Sequence, residues 1–159
     1  MGAVVDGGAP IFIRNEDVIL AAGIDETEFK AVCGRELVEI EQRKRVYLGN
    51  RERLNIAGCT VILVDDGIAT GATTRAALSA IRARHPKKLV LAVPVAPADT
   101  LRQLRDEVDD LVCLEQHEAF RAIGSYYRDF IQLNDPDVIT LLSQFPPATR
   151  AEAPVGEVR

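Results

Sequence analysis

The chain has few of the residues that build disulfide frameworks and metal centres. Its 159 residues include three cysteines, Cys33, Cys59 and Cys113, and two histidines, His85 and His117. The cysteines are odd in number and far apart, and the spacing of the histidines does not form a metal site, so neither set predicts a disulfide or metal framework. We interpret the cysteines as reduced, mostly buried thiols.

Long apolar runs and clusters of cations are also missing. No stretch approaches the ~20 apolar residues that cross a bilayer, and there is no secretory signal, so we expect a cytoplasmic protein without membrane association. The formal net charge is −5, which gives no support to nucleic-acid binding. The length predicts one domain, residues 1–145, followed by a Pro-, Ala- and Glu-rich tail, residues 146–159, that we expect to be disordered.

Two nucleotide-binding motifs are absent as well. Gly67 and Gly71 stand too close together for G-x-x-x-x-G-K-[ST], and no lysine follows them. The pattern G-x-G-x-x-G does not occur either. These absences argue against a loop that holds a nucleoside triphosphate.

The residues that are present concentrate their chemistry between Cys59 and Ala77. The short apolar run 61–64 is rich in β-branched residues and predicts a strand buried on both faces of a parallel sheet. Asp65 and Asp66 end this strand, a loop of small residues follows, and residues 75–84 have the spacing of an amphipathic helix.

A strand, a tight loop and a helix in that order place the loop at a helix N-terminus. Unpaired backbone N–H groups and the positive end of the helix dipole make an anion site there, and the small side chains let a phosphate approach closely. Carboxylates repel phosphate, so Asp65 and Asp66 would face vicinal hydroxyls or a hydrated divalent cation. A sugar bearing one phosphate fits this pattern.

The segment VILVDDGIATGAT, residues 61–73, resembles the phosphoribosyl-pyrophosphate (PRPP) signature of the type I phosphoribosyltransferases. The resemblance implies that Asp65 and Asp66 bind the ribose hydroxyls. It also implies that the 5′-phosphate is wrapped by Ala69, Thr70, Gly71, Ala72 and Thr73. A solvated helix-capping pair is the alternative for the two aspartates.

The same resemblance implies an activity. A type I phosphoribosyltransferase transfers the 5-phosphoribosyl group from PRPP to a nitrogenous, base-like acceptor, releases pyrophosphate with the help of Mg²⁺, and often serves nucleotide salvage. A non-catalytic phosphoribosyl-ligand-binding or regulatory module is the alternative. Relatives that act on 6-oxopurines place an acidic residue where this chain has Ala69, a pattern nearer to adenine-type members, so the acceptor stays open.

The remainder of the chain predicts an α/β fold. Strands over 88–95 and 109–114 alternate with helices, the rhythm of a Rossmann-like, mostly parallel sheet with helices on both faces. Short strands at 3–5 and 11–13, a helix from the capping signal at 25–28 to about Tyr47, and a last helix over 138–145 complete the expected elements.

Part of the family pattern has no counterpart in this sequence. No segment matches the pyrophosphate loop that follows the first strand of a type I enzyme, so we expect an N-terminally incomplete version of the fold, a bare sheet edge and a homo-oligomer. Arg43, Lys44 and Arg45 are candidate substitutes for that loop, with a solvated helix face as the alternative. Phe120 is a candidate to stack on the acceptor, with simple packing as the alternative.

Overall fold

The N-terminal part of the molecule is a β-hairpin followed by two helices. The computed structural model describes residues 2–6, 10–14, 16–49 and 54–145. Strands β1 (Gly2–Asp6) and β2 (Pro10–Arg14) pair in antiparallel fashion, which confirms the predicted pair of strands. Helices α1 (Glu16–Ala21) and α2 (Glu26–Leu48) follow.

Helix α2 begins at the predicted capping signal. The Asp25 carboxylate accepts a hydrogen bond from the Glu28 N–H at 2.8 Å, and the Glu28 carboxylate accepts one from the Asp25 N–H at 3.2 Å. This reciprocal pair satisfies two N–H groups at the helix start. Most of the helix surface is exposed, because α2 packs mainly against β1 and the C-terminal helix and not against the main sheet.

The main sheet has three parallel strands, and this confirms the predicted α/β class. The strands lie in the order β3 (Thr60–Val64), β4 (Lys88–Pro97) and β5 (Asp110–His117). Helix α3 (Ala72–Arg82) connects β3 to β4, and helix α4 (Ala98–Leu104) with a 3₁₀ turn at Arg105–Glu107 connects β4 to β5. The hairpin β1–β2 lies against α3.

The core lies between this sheet and the helices α3 and α4. Alternate residues of β4 point into it and are buried, while leucines of both helices meet them from the other side. The buried cluster comprises Ile68, Leu78, Leu89, Leu91, Val93, Ala96, Leu101 and Leu104. Each buried leucine contributes roughly 1.5–3 kcal/mol, so this side of the sheet supplies most of the driving force for folding.

No described element covers the opposite face of the sheet, contrary to the expectation of helices on both faces. Ile62 and Val64 of β3 are 59% and 69% exposed, and Val112 and Leu114 of β5 are 50% and 77% exposed. The strand order follows the chain order without reversal, so both connecting helices lie on one face. The prediction that β3 is buried on both faces is therefore wrong. In the described residues β3 is an edge strand that pairs with β4 alone.

Helix α5 (Asp135–Gln144) closes the described part of the chain. It begins three residues earlier than predicted, because Asn134 and Asp137 form a capping box and Pro136 sits in the first turn, where no N–H is needed. The Tyr47 hydroxyl donates to the Asp135 carboxylate at 2.7 Å and ties α2 to α5. The predicted tail, 146–159, lies outside the described residues.

The predictions about membrane-spanning segments and about the cysteines can be compared with the fold. Over the described ranges, no helix combines the length and the apolar composition required to cross a bilayer. Cys33, Cys59 and Cys113 form no disulfide among the described residues, and each is half-buried, whereas we predicted mostly buried thiols.

Candidate phosphate-binding site

The two aspartates lie where β3 ends, at the carboxyl edge of the parallel sheet. Both residues remain exposed, and the Asp65 carboxylate accepts a hydrogen bond from the Asp66 N–H at 3.0 Å. Partial desolvation raises the pKa of the Asp65 carboxyl; the hydrogen bond from the Asp66 N–H opposes this effect and the charge of Asp66 reinforces it. Two neighbouring carboxylates of this kind favour a ligand that bears hydroxyl groups or a positive charge.

A glycine with positive φ leads the chain from the loop into helix α3. Gly71 has φ +74°, occupies the N-cap position and provides no side-chain cap. Its carbonyl accepts from the Arg75 N–H at 2.8 Å, so the helix starts directly after it. Because the cap residue has no side chain, the first N–H groups of α3 remain available to an anion.

One cavity of about 220 Å³ is lined by residues 65–74 together with Ile123. We call residues 65–73 the anion loop. Every residue predicted to contact the phosphoribosyl group belongs to this lining: Asp65, Asp66, Ala69, Thr70, Gly71, Ala72 and Thr73. The fold therefore brings the predicted set together around one space, and the role of each residue toward a ligand stays a prediction.

Three hydrogen bonds from other parts of the chain hold the anion loop. The Ile68 N–H donates to the Val95 carbonyl of β4 at 3.0 Å, and the Ile68 side chain is 2% exposed. The Thr100 hydroxyl of α4 donates to the Ala69 carbonyl at 3.1 Å. The Tyr127 hydroxyl donates to the Asp66 carbonyl at 2.5 Å. The loop backbone is thus fixed on both sides before any ligand arrives.

The segment after β5 lies directly over Gly67. A Cβ atom on Gly67 would stand 2.8 Å from the Ile123 Cγ2 atom and 3.1 Å from the Val95 Cγ1 atom. No side chain fits there without displacing Ile123, which belongs to the 3₁₀ turn Ile123–Tyr126. Gly67 therefore allows this turn to close one side of the cavity.

Sequence reasoning missed Thr100, Ile123 and Tyr127 as parts of the site. Thr100 stands 31 residues from Ala69, and Tyr127 stands 61 residues from Asp66. A contact between distant segments leaves no local pattern, and in the sequence Thr100 resembles an ordinary helix start. Phe120, the predicted stacking residue, is the one signal in the sequence that indicated the segment after β5.

A second, more apolar cavity of about 150 Å³ lies beside the first. It is lined by Pro94, Val95, Leu114, Glu115, Tyr126 and Tyr127. Phe120, the predicted stacking residue, lines neither cavity and stacks on Tyr126 with 5.0 Å between the ring centroids. Tyr126 also contacts the His117 ring at 4.4 Å. Packing of the segment accounts for the position of Phe120, and acceptor stacking by this residue stays a prediction.

The cations of α2 lie outside the cavity and are paired along their own helix. Arg43 contacts Glu39 at 2.5 Å, and Lys44 and Arg45 contact Glu41 at 2.9 Å and 3.8 Å. Pairs at these spacings on an exposed helix are typical of a solvated face. The solvated-face alternative accounts for these contacts.

The comparison with known proteins gives the class of this chain. The phosphoribosyl transferase domain model matches residues 25–131, more than half of the sequence. The chain therefore belongs to the phosphoribosyl transferase domain family, and this confirms the resemblance noted in the sequence.

Three known proteins resemble this chain over different lengths. The Mycobacterium tuberculosis protein named "Putative phosphoribosyl transferase Rv0571c" is 36% identical over 143 residues, which are 90% of this chain and 32% of that protein. TT1426 from Thermus thermophilus has a similar structure, with a TM-score of 0.71 and 32% identity over 90% of this chain and 66% of that one. The "Bifunctional protein PyrR" of Haemophilus influenzae is 51% identical over 45 residues, 28% of this chain and 25% of PyrR. This chain thus spans about a third of the mycobacterial relative.

Proposed function

We propose that the anion loop binds the phosphoribosyl group of PRPP and that the chain carries a phosphoribosyltransferase site. The observation that carries this proposal is the single cavity shared by the aspartate pair and the start of α3. Family membership supports the reaction class. The cavity supplies the two kinds of group that a phosphorylated sugar needs, N–H donors for the phosphate and carboxylate acceptors for the hydroxyls.

The charge distribution orients the ligand in this cavity. The phosphate faces the N–H groups of the loop and of the first turn of α3, where the hydroxyls of Thr70 and Thr73 add donors. The ribose hydroxyls face Asp65 and Asp66, because these carboxylates repel the phosphate and accept hydrogen bonds from the diol. This arrangement holds the sugar at its phosphate and at its diol.

Mg²⁺ fits the donors at the mouth of the cavity. It is commonly held by one or two carboxylates together with substrate phosphate oxygens and water. Asp65 and Asp66 would hold it, and in the reaction it would neutralise the charge of the departing pyrophosphate. Within the described ranges no group of three or more His, Cys, Asp or Glu side chains makes a metal site from protein alone.

The proposed reaction exchanges one bond at C1 of the ribose. The bond between C1 and the pyrophosphate oxygen breaks and its electron pair leaves with pyrophosphate. The lone pair of an acceptor nitrogen forms the new C1–N bond, and the proton of that nitrogen is released to water. Asp65 and Asp66 hold the ribose during the change, in which C1 becomes cation-like. We propose a base-like acceptor, and Ala69 provides no acidic group toward it.

A second candidate function rests on the lining of the cavity. Among the described residues that line it, none is lysine, arginine or histidine. A leaving pyrophosphate needs cationic or N–H donors, and one missing donor costs about 10²–10³ in rate. A phosphoribosyl-ligand-binding or regulatory module would need only the anion loop, so it is the alternative.

Two measurements separate the two functions. Purified residues 1–159 are titrated with ribose 5-phosphate by calorimetry, and pyrophosphate release is followed after mixing with PRPP, Mg²⁺ and a panel of nucleobases. We expect ribose 5-phosphate binding and slow turnover that Asp66→Asn removes. Binding without any turnover favours the second function, and the absence of binding contradicts both.

We also propose that the chain self-associates. The edge of β3 carries unpaired backbone groups in the described part of the molecule, and Ile62 and Val64 beside it are exposed. Bare edges of this kind favour pairing with a second strand. Light scattering on the parent and on an Ile62→Lys variant tests this: a parent larger than a monomer supports it, and a monomeric parent contradicts it.

A further inference from the structure

Thr100 is a buried polar side chain that the proposed reaction does not use. It belongs to α4, is 7% exposed, and is one of two buried polar residues in the described chain. Its hydroxyl lies 3.1 Å from the Ala69 carbonyl oxygen and 3.5 Å from a carboxylate oxygen of Asp99. A hydroxyl has one proton to donate, and the nearer acceptor is Ala69. A residue of α4 is therefore bonded to the middle of the anion loop.

The methyl group of Thr100 lies close to the same loop at a second point. A Cβ atom on Gly71 would lie 3.0 Å from the Thr100 Cγ2 atom. Thr100 thus meets the loop on both sides of Thr70, through its hydroxyl at Ala69 and its methyl group at Gly71. A β-branched side chain has few rotamers, so the hydroxyl and the methyl group of Thr100 keep these positions relative to the loop.

The hydrogen bond from Thr100 to the Ala69 carbonyl also determines the direction of the Thr70 N–H group. The peptide bond between Ala69 and Thr70 is trans, since the described chain contains no cis bond. In a trans peptide the carbonyl oxygen and the following N–H point in opposite directions. With the Ala69 carbonyl directed at α4, the Thr70 N–H points away from α4. Over the described residues, no backbone carbonyl accepts a hydrogen bond from it.

We infer that Thr100 is a positioning residue that turns the Thr70 N–H toward the phosphate of the ligand. This inference rests on the proposed function and names a residue that acts on the ligand only through the loop. Without the hydroxyl, the Ala69 carbonyl would lack a partner and would be free to rotate toward the cavity. There its oxygen would repel the phosphate that the N–H attracts.

Two substitutions at Thr100 separate its hydroxyl from its shape. Thr100→Val keeps the branched side chain against Gly71 and removes the donor, whereas Thr100→Ser keeps the donor and removes the methyl group. Thr140→Val is a matched control, because the Thr140 hydroxyl donates to the Pro136 carbonyl at 2.8 Å within α5, away from the anion loop. We expect Thr100→Val to weaken ribose 5-phosphate binding roughly five- to tenfold, the worth of one hydrogen bond.

The test combines calorimetry with the amide NMR signal of Thr70. In the parent and in Thr100→Ser, ribose 5-phosphate and inorganic phosphate should shift the Thr70 amide proton, whereas in Thr100→Val this shift should shrink. Thr140→Val should leave the ribose 5-phosphate affinity and the shift of the Thr70 amide unchanged, even if its melting temperature falls as far as that of Thr100→Val.

Each other outcome decides the matter. Full affinity in a folded Thr100→Val overturns the inference. A Thr70 amide signal in the parent that does not shift when phosphate is added also overturns it, and this second result does not require the variant to fold. Failure of the parent to bind ribose 5-phosphate overturns the proposed function itself.

Discussion

The anion loop and the cationic stretch of α2 differ in how the fold treats their polar groups. The loop is held by partners from β4, α4 and the segment after β5, as far as 61 residues away in sequence. Arg43, Lys44 and Arg45 pair with glutamates three or four residues away on an exposed helix. Distant contacts fix a backbone before a ligand arrives, and local ion pairs on a surface do not. The comparison teaches that long-range support distinguishes the candidate site from the rest of the surface better than charge does.

The largest effect is expected at Gly71. Valine there must adopt φ +74° and place its Cβ atom 3.0 Å from the Thr100 Cγ2 atom. The backbone strain costs roughly 1–2 kcal/mol of stability. Because the loop is also disturbed, ribose 5-phosphate affinity should fall at least about a hundredfold. Calorimetry measures the affinity and circular dichroism checks the fold. Gly23→Val is the control, since Gly23 has φ +65° with no atom within 4 Å of an added Cβ. Undiminished affinity in a folded Gly71→Val would remove the anion loop from the site.

The next effect concerns the aspartate pair. Asp65→Asn and Asp66→Asn should each weaken PRPP binding about tenfold or more, because a carboxylate is a stronger acceptor for the ribose hydroxyls than an amide. Their melting temperatures should stay near the parent or rise, since each change relieves repulsion between the two charges. Asp110→Asn, which alters a carboxylate paired with Lys88 at the start of β5, should leave PRPP affinity unchanged. Parent-like affinity in both loop variants would discard the diol role.

The raised pKa of Asp65 adds a pH dependence with a definite sign. Because the folded-state pKa lies above the unfolded one, the folded chain holds this proton more tightly. The resulting stability is present below the unfolded pKa and is lost as pH rises through the folded pKa. Asp65→Asn removes that loss, so its melting temperature should increase relative to that of the parent as the pH rises through the range in which the Asp65 carboxyl titrates. A melting temperature of Asp65→Asn that falls relative to the parent as the pH rises would contradict the desolvation of Asp65.

A smaller effect is expected from the two adjacent tyrosines. Tyr127→Phe removes the hydroxyl that donates to the Asp66 carbonyl, and should weaken PRPP binding about fivefold, as expected for one hydrogen bond. Tyr126→Phe keeps the ring that stacks between His117 and Phe120, and should bind PRPP like the parent. Equal affinities for the two variants would show that the tie to Tyr127 does not support the site.

The smallest effect is expected on α2. Replacing Arg43 and Lys44 together by glutamine breaks exposed ion pairs that contribute about 0–1 kcal/mol each, and should leave both PRPP affinity and pyrophosphate release unchanged. A paired assay of binding and release checks this. A drop in pyrophosphate release with unchanged binding would restore these cations as candidates for the role of the family's pyrophosphate loop.

Local patterns in the sequence predicted the elements and most of the candidate site. The apolar run 61–64, the capping signal at Asp25 and the small residues before α3 act within a few positions, so strand, helix and anion loop follow from them. The open sheet face was not predictable, because the alternation of exposure in β3 depends on which side α3 and α4 take. Thr100 and Tyr127 could not be predicted as parts of the site for a similar reason, since their partners become neighbours only after folding.

Calorimetric titration of the parent chain with ribose 5-phosphate, ribose and inorganic phosphate tests the central claim most directly. A cavity that engages both the diol and the phosphate should bind ribose 5-phosphate at least about a hundredfold more tightly than either fragment, since the second contact is made within one ligand. Inorganic phosphate should compete with it, and Asp66→Asn should reduce the advantage over phosphate. Ribose 5-phosphate that binds no better than phosphate alone would contradict the account, because the aspartate pair would then take no part in recognising the sugar.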